Sequence, residues 1–158
     1  MAVEARSSTA DLDDAREKLV QSFAVLDDAM LDEAGVVGHW SIRQTIAHVL
    51  AWDAWATGAV AALERGEEPV EPNDEAMNAE SYTRIRSFSG AELQRSLRTA
   101  RSDLVSHLAA MTDDERAEPR YEVFERHMSA DEFVDSFMDH DLEHASEIRA
   151  WHKSRGIC

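Results

Sequence analysis

The sequence predicts an all-α protein, a four-helix bundle in an up-down-down-up arrangement. Four long stretches place apolar residues at every third or fourth position, which is the spacing of one helix face. No stretch alternates apolar and polar residues over the length of a useful strand. A long crossing segment separates the second stretch from the third, so those two helices are expected to run parallel.

Composition and charge fit one acidic domain. A chain of 158 residues with 44% hydrophobic content can bury one core, so residues 1–158 are expected to form a single domain. The net charge of -16 disfavours nucleic acid and anionic membrane surfaces as partners. Acidic residues on solvent-exposed helix faces, which keep a protein in solution, explain this charge more simply than an acidic surface patch that recognises a partner.

Two features predict a cytoplasmic location. No apolar run approaches the ~20 residues that a membrane span needs, and the N-terminal segment MAVEARSST is too polar for a signal peptide. The single cysteine, Cys158, cannot form an internal disulfide, and we interpret it as incidental rather than as a nucleophile.

The first two helices are predicted over residues 10–32 and 41–65. The first has an apolar stripe at every third or fourth position, made of Leu12, Ala15, Leu19, Phe23, Leu26 and Met30. Ser41 and Gln44 form a capping box that begins the second helix. That helix has two adjacent apolar lines, and His48 lies at their margin, where it could reach the centre of a bundle.

The crossing segment follows. Residues 66–73 contain two prolines and are expected to form a loop, and residues 74–87 a short helix or an irregular crossing, with Met77, Tyr82 and Ile85 inward. A capping box of Ser89 and Glu92 begins the third long helix. Residues 119–128 are expected to be irregular or short-helical.

The last helix is predicted over residues 129–155, beginning with the capping box of Ser129 and Glu132. His140 and His144 occupy positions that continue its apolar stripe, so both face inward. Imidazoles at positions i and i+4 stack on one side of a helix and can bind one metal ion. The alternative is a pair of core histidines whose partners are nearby carboxylates.

Three segments resemble a known family. They are HWSIRQTIAHVLAWD at residues 39–53, DEAMNAE at residues 74–80 and EHASEIRAW at residues 143–151. With His48, His140 and His144, they make the sequence resemble the DinB/YfiT superfamily of four-helix bundles, closest to its ClbS/DfsB branch. The resemblance covers residues 12–153.

The resemblance implies a divalent-metal site whose ligands are His48, His140 and His144. Three neutral imidazoles around zinc, nickel or ferrous iron leave a coordination position open for water or a thiolate. The same ligands can therefore support hydrolysis or thiol transfer. The segment HDLEH also fits the H-x-x-E-H pattern of the inverzincin proteases, but the chain is too short and strand-poor for that domain.

Other residues are candidates for the same site. Asp141 is a candidate base on the flank of the cavity, with a solvated helix-face carboxylate as the alternative. Glu147 is a candidate acceptor for the second N–H of a ligand histidine. Asn78 is a candidate hydrogen-bond donor or acceptor to a ligand, or else a cap or turn residue. Candidate pocket walls, which could equally be ordinary core, are Trp52, Trp55, Tyr82 and Trp151.

The expected function is a metal-dependent enzyme that acts on a reactive small molecule. The resemblance implies two versions: a transferase or isomerase that uses a low-molecular-weight thiol, and a hydrolase that detoxifies an electrophile. The competing class is a non-catalytic bundle that binds or sequesters a metabolite. A homodimer formed through an exposed helix face is compatible with both. Four histidines have no spacing that connects them to the site and are expected on surfaces or loops: His39, His107, His127 and His152.

Overall fold

A computed structural model describes residues 8–157, and the N-terminal segment and Cys158 lie outside this range. The described helices are α1 Thr9–Phe23, α2 Ile42–Glu64, α3 Asp74–Ile85, α4 Gly90–Ala109, α5 Asp113–Ala117 and α6 Ala130–Ser154, with a 3-10 turn at Asp28–Asp32. Two short strands, β1 Tyr121–Val123 and β2 Arg126–Met128, form an antiparallel hairpin.

The four long helices form the predicted bundle. Helix α1 packs against α4 and α6, and α2 packs against the same two helices. One apolar cluster joins the second halves of α1 and α6 to the first halves of α2 and α4, through residues that include Phe23, Ile148, Ile46 and Leu97. A second cluster joins the opposite halves, through Leu12, Phe133, Ala56 and Leu104. This pairing makes α2 and α4 parallel, and the up-down-down-up prediction is confirmed.

Side-chain caps explain where the long helices begin. Ser41 Oγ accepts from the backbone N–H of Gln44, and the Gln44 side chain accepts from the backbone of Ser41. The same reciprocal box begins α4 at Ser89 and α6 at Ser129. Each box satisfies two amides that the first helical turn leaves without a partner, so these starts were predicted within one residue.

The first helix is shorter than predicted. It ends at Phe23, not near residue 32, and the chain continues into the 3-10 turn at Asp28–Asp32. In that turn, Asp28 Oδ1 accepts from the backbone N–H of Gly90 at 2.9 Å, and Leu31 is fully buried. The chain therefore bends to cover the end of the core instead of continuing along its side.

The hairpin was not predicted, and the expectation of an irregular or short-helical segment at residues 119–128 was wrong. Phe124 and Glu125 connect its strands with φ angles of 50° and 62°. Left-handed conformations at both central positions define the tight turn that matches strand twist, and Asn-Gly usually supplies them. Phe-Glu carries no such sequence pattern, so local sequence could not indicate the turn.

Within residues 8–157, one helix is long and apolar enough to cross a membrane by length and composition alone. It is α2, whose most apolar window has a mean hydropathy of 1.3 and is 56% buried inside the fold. The expectation that no apolar run approaches this length was therefore too strict. Core helices of soluble bundles pass the same test, so the observation is weak evidence for a span.

Candidate metal centre

The imidazoles of His48, His140 and His144 converge between α2 and α6. His140 Nε2 lies 3.0 Å from His48 Nε2 and 3.0 Å from His144 Nε2. One nitrogen from each of the three rings lies within 4.8 Å of the other two. His144 is 7% exposed, and the other two rings are partly buried. Below, the three residues are called the triad.

The spacing of the triad fits a single metal ion. Imidazole nitrogens bind first-row divalent metals at roughly 2.0–2.1 Å, so two nitrogens on one ion are about 2.9–3.4 Å apart at angles between 90° and tetrahedral. The observed separations of 3.0 Å lie inside this interval. Three nitrogens on one side of an ion leave its other side open, as in reactive rather than structural sites.

The outer nitrogens of two triad rings have oxygen partners. His48 Nδ1 lies 3.0 Å from Asn78 Oδ1, and His144 Nδ1 lies 2.7 Å from Glu147 Oε2. An amide oxygen and a carboxylate accept hydrogen bonds, so each imidazole carries its proton on Nδ1. Both rings therefore present an unprotonated Nε2 to the centre of the triad, as metal ligands do.

Proton counting supports a cation at this position. A neutral His140 has at most one proton on Nε2, so it can donate to His48 or to His144 but not to both. One of the two 3.0 Å contacts would then bring two lone pairs together. A divalent cation shared by the three nitrogens removes that repulsion, and the donor set fits zinc, nickel or iron.

Burial disfavours the charged form of two triad residues, His140 and His48. It lowers the pKa of His140 to about 3, and positive charge on His144 or His48 would lower it further. Burial also lowers the pKa of His48, although Asn78 and Asp74 oppose the shift. Neutral imidazole is the form that binds metal, so the lowered pKa values of His48 and His140 favour metal binding at neutral pH.

Helix α3 connects the triad to the adjoining wall. Asp74 and Asn78 lie one turn apart on this helix. While Asn78 contacts His48, Asp74 Oδ1 accepts from the indole N–H of Trp52 at 2.9 Å and lies 3.7 Å from His48 Nδ1. The crossing helix thus fixes both a triad ring and a wall residue. Asn78 was considered as a ligand contact or a cap, and the structure places it on the triad.

A cavity of about 230 Å³ lies beside the triad. Its lining consists of Trp52, Trp55, Val123, Met128, Phe133, Ser136, Phe137 and His140. Two predicted wall residues, Trp52 and Trp55, therefore do line it. Strand residues Val123 and Met128 were missed because the hairpin was missed. His140 belongs to both the cavity and the triad, so a molecule in the cavity lies next to any metal held there.

Three expectations for the pocket are corrected. Tyr82 is 37% exposed on α3 and is not among the residues that line the cavity. Trp151 belongs to the apolar cluster at the other end of the bundle, and Arg155 stacks on its ring. Asp141 is neither a cavity residue nor a solvated one: it is 1% exposed and paired with Arg16 and Arg101. Both of its oxygens are paired with arginine, so the expectation that Asp141 acts as a base in the cavity is corrected.

The pairing of Asp141 belongs to a buried cluster of four charges that sequence analysis missed. Each long helix contributes one member, namely Arg16 from α1, Asp53 from α2, Arg101 from α4 and Asp141 from α6. Arg16 Nε lies 2.8 Å from Asp141 Oδ2, and Arg101 bridges the two carboxylates at 3.0 Å and 3.4 Å. On every helix the charged residue lies between the segments that form the two apolar clusters.

Charge balance makes this four-residue cluster, called the quartet below, tolerable inside the bundle. Burial alone would lower the pKa of Arg16, but the carboxylates of Asp53 and Asp141 raise it above its ordinary value. Backbone carbonyls of Leu97 and Leu12 accept further hydrogen bonds from the two arginines. Two cations and two anions leave no net charge, which limits the cost of their burial.

The remaining four histidines lie outside the triad, and three of them lie at the surface as expected. His39 and His127 are exposed, and His107 lies near Glu64 on the surface of α4. His152, which was expected on the surface, is 9% exposed. It lies on the inner side of the last turn of α6, beside Trp151.

The fold and the site together define a class: four-helix bundles in which imidazoles from two helices converge beside an interhelical cavity. The chain belongs to the DinB superfamily, whose family model matches residues 11–148. No curated protein sequence matches it significantly.

Three solved structures show the extent of the structural similarity. YfiT from Bacillus subtilis, a probable metal-dependent hydrolase with an unusual four-helix bundle topology, is 15% identical, with a TM-score of 0.75 over 100% of this chain and 94% of its own. The colibactin self-resistance protein ClbS, solved in complex with dsDNA, is 10% identical, with a TM-score of 0.76 over 90% and 91%.

The third structure is the mycothiol-dependent maleylpyruvate isomerase. It is 16% identical, with a TM-score of 0.75 over 89% of this chain. This chain spans 58% of the isomerase, so the larger protein has parts with no counterpart here. At identities of 10–16%, the three structures establish the shared fold but not a shared activity.

Proposed function

We propose that this protein is a divalent-metal-dependent enzyme that acts on a small electrophilic molecule, either by thiol-dependent transfer or isomerisation or by hydrolysis. The observation that carries the proposal is the convergence of His48, His140 and His144, with Nε2 atoms 3.0 Å apart along both contacts to His140. The open side of such a site and the adjoining cavity give a substrate access to it.

Each residue of the site has a defined task in this proposal. A bound metal supplies Lewis acidity and lowers the pKa of a water or thiol. The triad holds it through neutral nitrogens. Asn78 and Glu147 keep the protons of His48 and His144 on Nδ1, which fixes ring orientation and makes the Nε2 atoms better donors. The aromatic walls exclude water from one side of the bound substrate.

The comparisons support both versions of the chemistry. YfiT is described as a probable metal-dependent hydrolase, and the isomerase depends on the thiol mycothiol. The dsDNA in the ClbS structure is not carried over to this chain, because a net charge of -16 repels a phosphate backbone. We propose a small-molecule substrate, with a low-molecular-weight thiol as the co-substrate in the transfer version.

The proposal is tested with a panel of strained and conjugated electrophiles, each incubated with and without a low-molecular-weight thiol. Product formation is measured for the purified protein, for chelator-treated protein and for chelator-treated protein after metal is restored. We expect turnover that is lost with the metal and recovered with it. His144→Ala should abolish turnover, whereas His39→Ala, at an exposed position outside the triad, should retain it.

The cavity also favours a second candidate, a non-catalytic module that binds or sequesters an apolar metabolite. It predicts stoichiometric binding without product, and ligand affinity that His144→Ala leaves unchanged. The metal-dependent enzyme predicts the opposite on both counts.

Organisation and location complete the proposal. We propose one domain over residues 1–158, a cytoplasmic location and a homodimer formed through an exposed helix face. Sedimentation of the purified chain tests the dimer, because a monomer of 17.7 kDa and its dimer separate clearly. Limited proteolysis tests the single domain, since a second domain would leave a stable fragment well short of full length.

A further inference from the structure

The cavity beside His140 has the chemistry of a site for an uncharged aromatic group. Its lining contains no lysine, arginine, aspartate or glutamate. Four of its residues, Trp52, Trp55, Phe133 and Phe137, are aromatic, and its polar members are Ser136 and His140. A charged group placed among them would lose its hydration without gaining an opposite charge.

The two indole N–H groups, which could have added polarity, point elsewhere. Trp52 Nε1 donates to Asp74 Oδ1 at 2.9 Å, and Trp55 Nε1 donates to the carbonyl oxygen of Val70 at 2.8 Å. With both donors already used, the rings offer the cavity their hydrocarbon surfaces. The walls therefore favour contact with another ring and provide no donor for an anion.

The orientation of the walls is fixed by ring-to-ring packing. Trp52 and Trp55 meet at 71° with centroids 5.7 Å apart, and Trp55 meets Phe133 at 78° and 5.8 Å. Phe133 in turn packs on Phe137 at 6.1 Å. Each ring holds its neighbour in a tilted or edge-to-face arrangement, so the cavity keeps its shape without a ligand. The entropic cost of ordering these side chains on ligand binding is therefore small.

The volume sets the size of the group. An engineered apolar cavity of about 150 Å³ accommodates one benzene ring, and the cavity here measures about 230 Å³. One or two fused rings therefore fit, and a larger polar conjugate would have to remain outside.

We infer that the substrate of this site carries an uncharged aromatic group of one or two rings, which binds in the cavity while its reactive atom lies beside the triad at His140. That the bound molecule is a substrate rests on the proposed function. Its binding chemistry rests on the cavity alone.

The test compares two probes of equal ring size, naphthalene-2-carboxamide and naphthalene-2-sulfonate, by calorimetric titration of the purified full chain. Neither is a strong metal ligand, so the comparison reports on the cavity. We expect the neutral carboxamide to bind at least tenfold more tightly than the sulfonate. Equal affinities, tighter sulfonate binding, or no binding of the carboxamide would overturn the inference.

Two matched lysine substitutions locate the site. Ser136 is an exposed serine at the edge of the cavity, and Ser106 is an exposed serine on α4 outside its lining. Ser136→Lys should reduce the ratio of carboxamide affinity to sulfonate affinity at least threefold, because the lysine ammonium can pair with the sulfonate. Ser106→Lys changes the net charge equally and should leave the preference unchanged. The same response from both variants would contradict binding in this cavity.

Metal content, measured on the same samples, separates this inference from the proposed function. Selective carboxamide binding by a chain that holds no metal would support the inferred ligand class of the cavity and would contradict the proposed metal-dependent enzyme function. If the chain binds metal but shows no preference between the probes, the proposed enzyme function stands and the inferred substrate class is contradicted.

Discussion

His48 Nε2 lies 3.0 Å from His140 Nε2 although 92 residues separate them in the chain. The contact joins α2 to α6. His144 adds a third nitrogen at the same distance from His140, and oxygens of Asn78 and Glu147 fix two of the rings from behind.

Removal of a carboxylate behind the triad should weaken metal binding without unfolding the chain. Glu147→Ala leaves His144 without its 2.7 Å acceptor, and we expect metal affinity to fall about 10–100-fold. The measurement is a competition titration against a chromogenic chelator. Glu143→Ala, which removes an exposed carboxylate from the same helix, should bind metal as the wild type does. Equal affinities in the two variants would show that Glu147 does not support the ligand.

The amide of Asn78 should have a comparable effect from the opposite side. Asn78→Ala removes the acceptor of the His48 Nδ1 proton, and we expect metal affinity to fall about tenfold or more. Asn78→Asp keeps an acceptor oxygen at the same position and should retain the affinity. If the aspartate variant binds no better than the alanine variant, Asn78 acts through the packing of α3 and not through this hydrogen bond.

The metal-free protein should lose stability as the pH falls below 6.5. Burial lowers the pKa of His140 from 6.5 to about 3, so between these values the unfolded chain binds a proton that the folded chain does not. The free energy of unfolding is therefore constant above this window and decreases on acidification, by roughly 1.5–2 kcal/mol between pH 6.5 and 5.

Urea unfolding of chelator-treated protein between pH 7.5 and 5 measures this dependence. His140→Gln has no titrating ring at this position, and its stability should vary less over the same interval. An equally steep loss of stability in His140→Gln would mean that other groups are responsible.

Breaking the quartet should cost far more stability than breaking a surface pair on the same helix. Arg101 is 1% exposed and bridges Asp53 and Asp141, so Arg101→Met leaves two buried carboxylates with a single arginine. We expect a loss of about 3–5 kcal/mol in the free energy of unfolding. Arg98 pairs with Glu17 at 2.7 Å, but both side chains are about half exposed, and Arg98→Met should cost less than about 1 kcal/mol.

Chemical denaturation of both variants measures the difference. Similar losses for Arg98→Met and Arg101→Met would show that burial does not set the value of these ion pairs.

Local sequence predicted the helices and their starts because it contains the interactions that begin them. The capping boxes at Ser41, Ser89 and Ser129 lie within four consecutive residues, and the apolar stripes repeat within single helices. The inward histidines were found for the same reason, since they continue the stripe of α6. The convergence of the triad is present as expected, while metal binding itself stays a prediction.

The quartet was missed although the sequence carried a sign of it. Each long helix has a buried charged residue near its middle, and the four residues are Arg16, Asp53, Arg101 and Asp141. Two arginines and two aspartates at equivalent positions of four helices could have indicated a buried neutral cluster. Asp141 was instead considered alone, as a neighbour of an inward histidine on the flank of the cavity or as a solvated helix-face carboxylate.

Other features depend on contacts between distant segments. The partners of the two indole N–H groups and of His48 Nδ1 lie 22, 15 and 30 residues away, on α3 and the loop before it. No periodicity or motif specifies such pairings. The hairpin that contributes Val123 and Met128 to the cavity could not be predicted either, because its turn has Phe-Glu where such turns usually have Asn-Gly.

The most direct test of the account is the metal stoichiometry of the purified chain, measured by elemental analysis and by titration after chelator treatment. We predict one divalent ion per chain, a higher melting temperature with the metal than without it, and loss of both effects in His140→Ala but not in His39→Ala. Binding of no stoichiometric metal by the wild type, or equal binding by His140→Ala, would contradict the central claim.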